Sequence, residues 1–225
     1  MTASNVKPTI AVLGGTGHLG GALAQRWAQA GFPVILGSRE AARAADAAAG
    51  LAAATGALVR GLSNREAAAA AEIVVITVPF ATQQAVLEDI RSVAAGKLVV
   101  DTTVPLVPPK VMRVQLPPEG SAAVRAQQIL GADVTVVSAF HNVAAHKLAT
   151  ADAVDCDVLV FGDQKEARER VVALATAAGL RGLHAGPLAN SAAAEALTSI
   201  LIFINKTYAV DGAGLRITGE LKSGA

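Results

Sequence analysis

Six residues near the start of the chain, Gly15-Thr16-Gly17-His18-Leu19-Gly20 in "TIAVLGGTGHLGGALAQRW", have the spacing G-x-G-x-x-G. Between an apolar run of strand length and a helical run, that spacing builds a seat for a pyrophosphate. In this reading Gly15 permits the tight turn, Gly17 lets the backbone approach the phosphates, and Gly20 lets the helix pack closely on the strand. Free N–H groups at the helix start, with His18 and Leu19 in the turn, then meet the phosphate charge. A glycine-rich turn that holds nothing is the alternative, and the strand-turn-helix context argues against it.

A second stretch, "VILGSRE", ends the next strand, with Ser38 18 residues beyond Gly20. An NAD site places Asp or Glu there to hold the ribose hydroxyls. Ser38 and Arg39 stand there instead. A carboxylate would repel a 2′-phosphate, whereas guanidinium and hydroxyl groups bind it. Thr16 adds a hydroxyl, and Arg43, one helical turn after Arg39, adds a second cation. The expected cofactor is therefore NADP, with a solvated Arg at a strand end as the alternative. "IVVITVPF" closes the fourth strand, which lies beside the first in a doubly wound order. Thr77, Val78, Pro79 and Phe80 are thus expected at the switch point beside the cofactor. Phe80 reads equally as a ring-facing wall or a core aromatic.

Other chemistries find no support. Gly14, Gly17 and Gly20 also match the spacing of short-chain dehydrogenases, which need a Tyr followed by a Lys four residues on. The one tyrosine is Tyr208, and Gly212 stands four residues later. No G-x-S-x-G elbow occurs. His141 and His146 are five apart, poor for one helical face, and no cysteine pair accompanies them, so no metal is expected. No Lys or Tyr is placed as an acid for carbonyl reduction. Hydride transfer between two preformed rings needs none, because the cofactors carry the chemistry and the protein orients them.

The elements that position these residues alternate. Strands are expected at Thr9–Leu13, Val34–Gly37, Ala57–Gly61, Ile73–Val78, Lys97–Thr102 and Val134–Phe140. Helices are expected at Leu19–Gln29, Glu40–Ala54, Arg65–Ala71, Thr82–Val93 and Ala122–Leu130. Near-continuous Val, Ile and Leu suits strands buried on both faces, so the fold class is α/β, a Rossmann-type, mainly parallel doubly wound sheet. Ser63 with Glu66 forms a capping box. Pro105, Pro108, Pro109, Pro117 and Pro118 make a long loop after the fifth strand, either facing the ligand or merely connecting. From His141 the pattern changes: a loop and short helix, the strand "DVLVFGD", a charged helix, the strand "LRGLHAG" and a long helix Ala189–Ala209. This divides the chain into a Rossmann domain, 1–140, and a small α/β domain, 141–225. The last helix is apolar around most of its circumference and must be buried by its own domain or by a second copy.

Bulk composition fits. Net charge is +1 from 19 basic and 18 acidic residues, with 3% aromatics and no basic cluster, so nucleic acid is not an expected partner. The apolar run "SILIFIN" is too short for a bilayer, so no membrane partner is expected. "MTASNVKP" reads as a loose tail without an export signal, which points to the cytoplasm. Cys156, the single cysteine, reads as a buried inert thiol.

Taken in order, "LGGTGHLG", "GSRE", "VVITVPF", "VVSAFHNVAA", "FGD" and "AGPLANSAAAEALTSILIFIN" resemble the NADPH-dependent reductases of the deazaflavin coenzyme F-420 over nearly the whole length. The resemblance implies a homodimer and direct hydride exchange between NADP and the deazaflavin. It assigns Thr16, Ser38, Arg39 and Arg43 to the 2′-phosphate, and His18 and Leu19 to the cofactor turn. Loop His141–Ala145 would be where nicotinamide and acceptor meet, in a cleft formed with the proline-rich loop, with His141 on the acceptor ring and Val143 and Ala145 near the nicotinamide. From residue chemistry alone, His141 is a loop histidine with a satisfied hydrogen bond. The chain departs from archaeal members at Ala144, where they commonly have proline, and in its ending "GAGLRITGELKSGA". It also resembles the cytosolic NADPH-oxidoreductase domain of membrane metalloreductases, which reduces a flavin. Reduction of FMN, FAD or a small organic acceptor is therefore the second reading, and an NADP-binding sensor without turnover the third.

Overall fold

Runs of β-branched residues and leucine form six parallel strands: β1 (Ile10–Leu13), β2 (Val34–Ser38), β3 (Val59–Ser63), β4 (Ile73–Ile76), β5 (Leu98–Asp101) and β6 (Thr135–Ser138). Their order is β3-β2-β1-β4-β5-β6, the doubly wound arrangement with its switch point between β1 and β4. This computed structural model describes residues 7–221; most of the tail expected at the N-terminus lies outside the described residues. The helices are α1 (His18–Gln29), α2 (Ala41–Thr55), α3 (Asn64–Ala70), α4 (Phe80–Ile90), α5 (Ala122–Leu130), α6 (Ala145–Leu148), α7 (Lys165–Ala177) and α8 (Ser191–Tyr208).

Both faces of the sheet are covered, which is why its strands lack polar alternation. Ile10 and Val12 of β1 point into one buried cluster, Ala11 and Leu13 into the other. The first cluster continues into the small parallel pair β7 (Asp157–Val160) and β8 (Arg181–His184). One antiparallel bridge, Ser138 with Phe161, joins that pair to β6. Trp27 of α1 ties the two parts: its Nε1–H donates to Leu174 O at 2.9 Å, and its ring meets Phe140 edge-on with centroids 5.9 Å apart. The apolar core therefore runs unbroken across residue 140.

Several boundaries differ from expectation. β3 begins two residues later than Ala57, because Gly56 caps α2 in a left-handed conformation and the chain needs Ala57 and Leu58 to reach the sheet edge. α4 starts at Phe80 rather than Thr82. Phe80 is half-buried under the Arg125 guanidinium, 5.1 Å from its ring, rather than in the core, and it does not line the cavity beside the glycine turn. The capping box is present, with Ser63 Oγ accepting from Glu66 N–H and Glu66 accepting from Ser63 N–H. The proline-rich loop does not reach the glycine turn. It lies against α8, where Ser199 Oγ donates to Arg113 O at 3.4 Å.

By length and composition alone, Leu188–Tyr208 is long and apolar enough to cross a membrane, at 21 residues and mean hydropathy 1.3. In this fold the helix carries a buried carboxyl that docks it on the start of α5. Glu195, 1% exposed, accepts from the N–H groups of Ala122 and Ala123 at 2.7 and 3.1 Å, capping α5. Loss of water, reinforced by nearby Asp101, pushes Glu195 up to about 8 against those two hydrogen bonds. Desolvation likewise pushes Asp101 up to about 6. A carboxyl whose folded-state pKa lies above its unfolded value stabilises the fold below the unfolded value, and that stability is lost as pH rises through the folded value. For Glu195 the window runs from 4.5 to about 8. Unfolding free energy is therefore expected to fall as pH rises from 4.5 to about 8. In Glu195→Gln that fall should shrink by roughly 2–4 kcal/mol, measured by denaturant unfolding at each pH. An unchanged slope in the variant would contradict the assignment.

Candidate dinucleotide site

The glycine turn leaves β1 at Leu13 and enters α1 at His18, so it sits at the carboxyl end of the central strands. Gly14 holds the left-handed conformation that makes the turn (φ 84°), a correction to the expectation that placed this task on Gly15. Gly15 is small for another reason: a Cβ there would lie 2.8 Å from Leu36 Cδ2 and 2.9 Å from Val12 O. Gly20 has the packing role expected of it, since a Cβ would come within 2.6 Å of Gly14 O and closer still to Thr77 Oγ1. Gly17 is the N-cap of α1, exposed, and the helix start has no side-chain cap and no acidic residue in its first turn. Those unmet N–H groups fit an anion.

A cavity of about 230 Å³ opens beside the turn. It gathers Gly14, Thr16 and Gly17 from the turn, Ser38, Arg39 and Arg43 from the end of β2 and start of α2, and Thr77, Val78 and Pro79 from beyond β4. Three segments far apart in sequence thus form one wall because β2, β1 and β4 are neighbours. Ser38 Oγ accepts from Glu40 N–H at 3.3 Å, which leaves its hydroxyl proton free for an incoming oxygen. Arg43 lies 3.9 Å from Glu40, both well exposed, a contact too weak to compete with a phosphate. Gly15 and Gly20 are buried behind the turn; His18 and Leu19 begin α1 outside this cavity.

Four lining residues escaped the motif reading: Glu40, Asn64, Thr82 and Val86. Glu40 faces the cavity directly after the two phosphate-binding candidates. Asn64 is 4% exposed, lines the same cavity, and its Oδ1 has no partner within the protein. The capping box was the available signal: it fixes the start of α3, and so places Asn64 at the carboxyl end of β3.

Loop 141–145 follows β6, on the other side of β4 from β2 and about 10 Å from β4 by two inter-strand spacings. It begins with a strained residue. Phe140, 1% exposed, is held at φ 66°, unusual for a bulky side chain, by its packing on Trp27. His141 is buried with Nε2 unpartnered, which contradicts the simple picture of a satisfied loop histidine. Burial pushes it down to about 4, so the imidazole is neutral at pH 7. It can orient a ring or accept a hydrogen bond, but it supplies no positive charge. Asn142 latches the loop to α8, its Nδ2 donating to Ala194 O at 2.9 Å and Thr198 Oγ1 at 3.1 Å. Thr198 in turn donates to His141 O at 3.0 Å. His141, Asn142, Val143 and Ala144 share a cavity of about 150 Å³ with α8 and Ala213, rather than with the proline-rich loop. Ala145 opens α6 instead of lining that cavity. Cys156 Sγ is buried 3.4 Å from Asn142 O, and burial raises its thiol, as expected of an inert group.

The family described as "NADP oxidoreductase coenzyme F420-dependent" matches residues 9–105, which takes in the glycine turn and strands β1 to β5. An "F420-dependent NADP reductase" from Methanothermobacter thermautotrophicus is 40% identical over 218 residues, covering 93% of this chain and 94% of that protein. The chain belongs to the coenzyme F-420-dependent NADP oxidoreductase family. A second member, from Methanocaldococcus jannaschii, is 37% identical over 223 residues and 97% of its own length. A solved structure from Arthrobacter sp. fb24 superposes with TM-score 0.81 at 25% identity, covering 94% of this chain and 100% of that one. These matches cover 93% of the chain and so extend well past residue 105.

Proposed function

We propose that this protein transfers a hydride between NADP(H) and the deazaflavin coenzyme F-420. The observation that carries the reading is the wall formed by Thr16, Ser38, Arg39 and Arg43 beside an uncapped helix start, in a chain of this family. The fit to NADP rests on that wall: one helix end for the pyrophosphate, and hydroxyl and guanidinium groups where an NAD site would have a carboxylate. NADPH supplies the hydride when bound. The residues do the rest. Gly14, Gly17 and Gly20 seat the pyrophosphate, with His18 and Leu19 in the turn. Thr77, Val78 and Pro79 border the path from the phosphates towards β5 and β6. Loop 141–145, with Val143 and Ala145, shapes the place where the acceptor meets the nicotinamide. Neutral His141 orients the acceptor ring and excludes water, which favours direct transfer between the two rings.

We further infer a cytoplasmic homodimer. Ile200 and Phe203 on α8, with Val107, Met112, Val114 and Leu116 on the loop that packs against it, remain exposed and apolar.

Purified protein mixed with NADPH and, separately, F-420, FMN and FAD tests the reading. Rapid oxidation with F-420 alone is expected. Oxidation only with FMN or FAD would transfer the proposal to a flavin reductase, and tight NADPH binding without turnover would leave a sensor.

A further inference from the structure

The chain continues past α8. Ala209, left-handed at φ 51°, reverses it, and residues 210–217 return as a strap beside the acceptor loop and along β7. Named contacts fix the strap along its length. Ala213 N–H donates to Asn205 Oδ1 at 2.7 Å, and Asp211 Oδ1 lies 2.9 Å from His146 Nε2. Leu215 O accepts from Asp157 N–H at 2.7 Å, and Arg216 pairs with Asp155. Ile217 N–H donates to Asp157 Oδ2 at 2.6 Å. Asp157 is itself gripped by Arg181 through two bonds of 2.7 and 2.6 Å, and Arg181 also donates to Ile217 O at 2.9 Å. That guanidinium holds the Asp157 carboxyl below the usual range, so the seat stays charged at neutral pH.

The strap presses on the residues that follow His141. A Cβ at Gly212 (φ 73°) would lie 2.8 Å from both Ala144 Cβ and His146 Cε1. Ala213 helps wall the cavity that His141, Asn142 and Val143 line, and no strap residue lines the cavity at Arg39. The segment it braces has little support of its own. α6 is four residues long without a side-chain cap, and a helix that short is unstable unless packed against something.

We propose that strap 210–217 is a positioning element for acceptor choice: it holds loop 141–146 together with the Asn142–Thr198 latch, and so sets which ring system the loop admits. Gly212, Ala213 and Asp157 act through the loop, not on the reacting atoms. The proposal rests on the reading that loop 141–145 is the acceptor site.

Two variants test it in the full enzyme: deletion of 211–225, and Gly212→Val, which cannot keep the strap against Ala144. Steady-state kinetics with F-420 and with FMN would be read beside NADPH affinity measured without acceptor. Both variants are expected to raise KM for F-420 about tenfold, to lower the preference for F-420 over FMN, and to leave NADPH affinity within about twofold. Unchanged KM and preference would overturn the proposal, as would a matching loss of NADPH affinity, which marks general damage. If the deletion does not fold, Gly212→Val decides. Val143→Ala separates the two layers. A shifted F-420 KM in Val143→Ala with none in the strap variants sinks the strap alone; no shift in any of the three sinks the acceptor site with it.

Discussion

Arg39→Asp is expected to weaken NADPH binding by a hundredfold or more while leaving NADH within about threefold. Arg39 stands with Ser38 where the second strand ends, and its cavity wall also holds Thr16 and Arg43. A hydrogen bond to a charged group contributes about 1.5–3 kcal/mol. The variant loses that contact and sets a carboxylate against a dianionic phosphate, so the two effects add in the same direction. NADH has no phosphate there, and an acid at this place suits its ribose hydroxyls. Binding of each nucleotide, followed by intrinsic fluorescence or calorimetry, gives the ratio. Equal weakening of both would show that the phosphate sits elsewhere.

The second large effect is steric. In Gly20→Ala the new methyl would meet Gly14 O at 2.6 Å and Thr77 Oγ1 more closely still. Thr77 cannot simply swing away, because its hydroxyl donates to Leu13 O at 2.8 Å. Overpacking of this kind costs about 1–3 kcal/mol. In a chain of this size that lowers Tm by roughly 3–10 °C. The clash also displaces the turn that seats the pyrophosphate, and a misplacement near 1 Å costs about a hundredfold where geometry decides the rate. Gly21→Ala is the control. Its Cβ would lie 3.4 Å from Gly15 O, ordinary contact, so near-native melting and NADPH affinity are expected there. Native behaviour of Gly20→Ala, or equal damage from Gly21→Ala, would contradict the packing argument.

The contrast between these two glycines marks the limit of what the sequence discloses. Spacing alone finds the turn, because strand, turn and helix must follow one another locally. Spacing does not say that Gly14, rather than Gly15, takes the left-handed conformation, since that depends on how α1 leans on Thr77 and Leu36. The alternation of apolar runs reveals the doubly wound sheet, and the residues at β2 and β4 ends follow from it. Asn64 was hidden because its signal, the capping box, speaks of a helix start and not of a ligand. Loop 141–145 was placed by resemblance; its unpartnered imidazole and its strained Phe140 arise from burial that no local pattern encodes. The strap is the clearest case. "GAGLRIT" has no periodicity, and its partners Asn205, Asp157 and Arg181 are brought to it only by the fold.

The central claim is direct hydride exchange, and isotope transfer tests it most directly. NADPH deuterated at the transferable nicotinamide position would be mixed with protein and F-420 in ordinary water, and the reduced deazaflavin analysed by mass spectrometry. Because the deazaflavin receives the hydride on carbon, the label is expected to be retained in the product. Reduced deazaflavin without deuterium, or no reduction at all, would contradict the account.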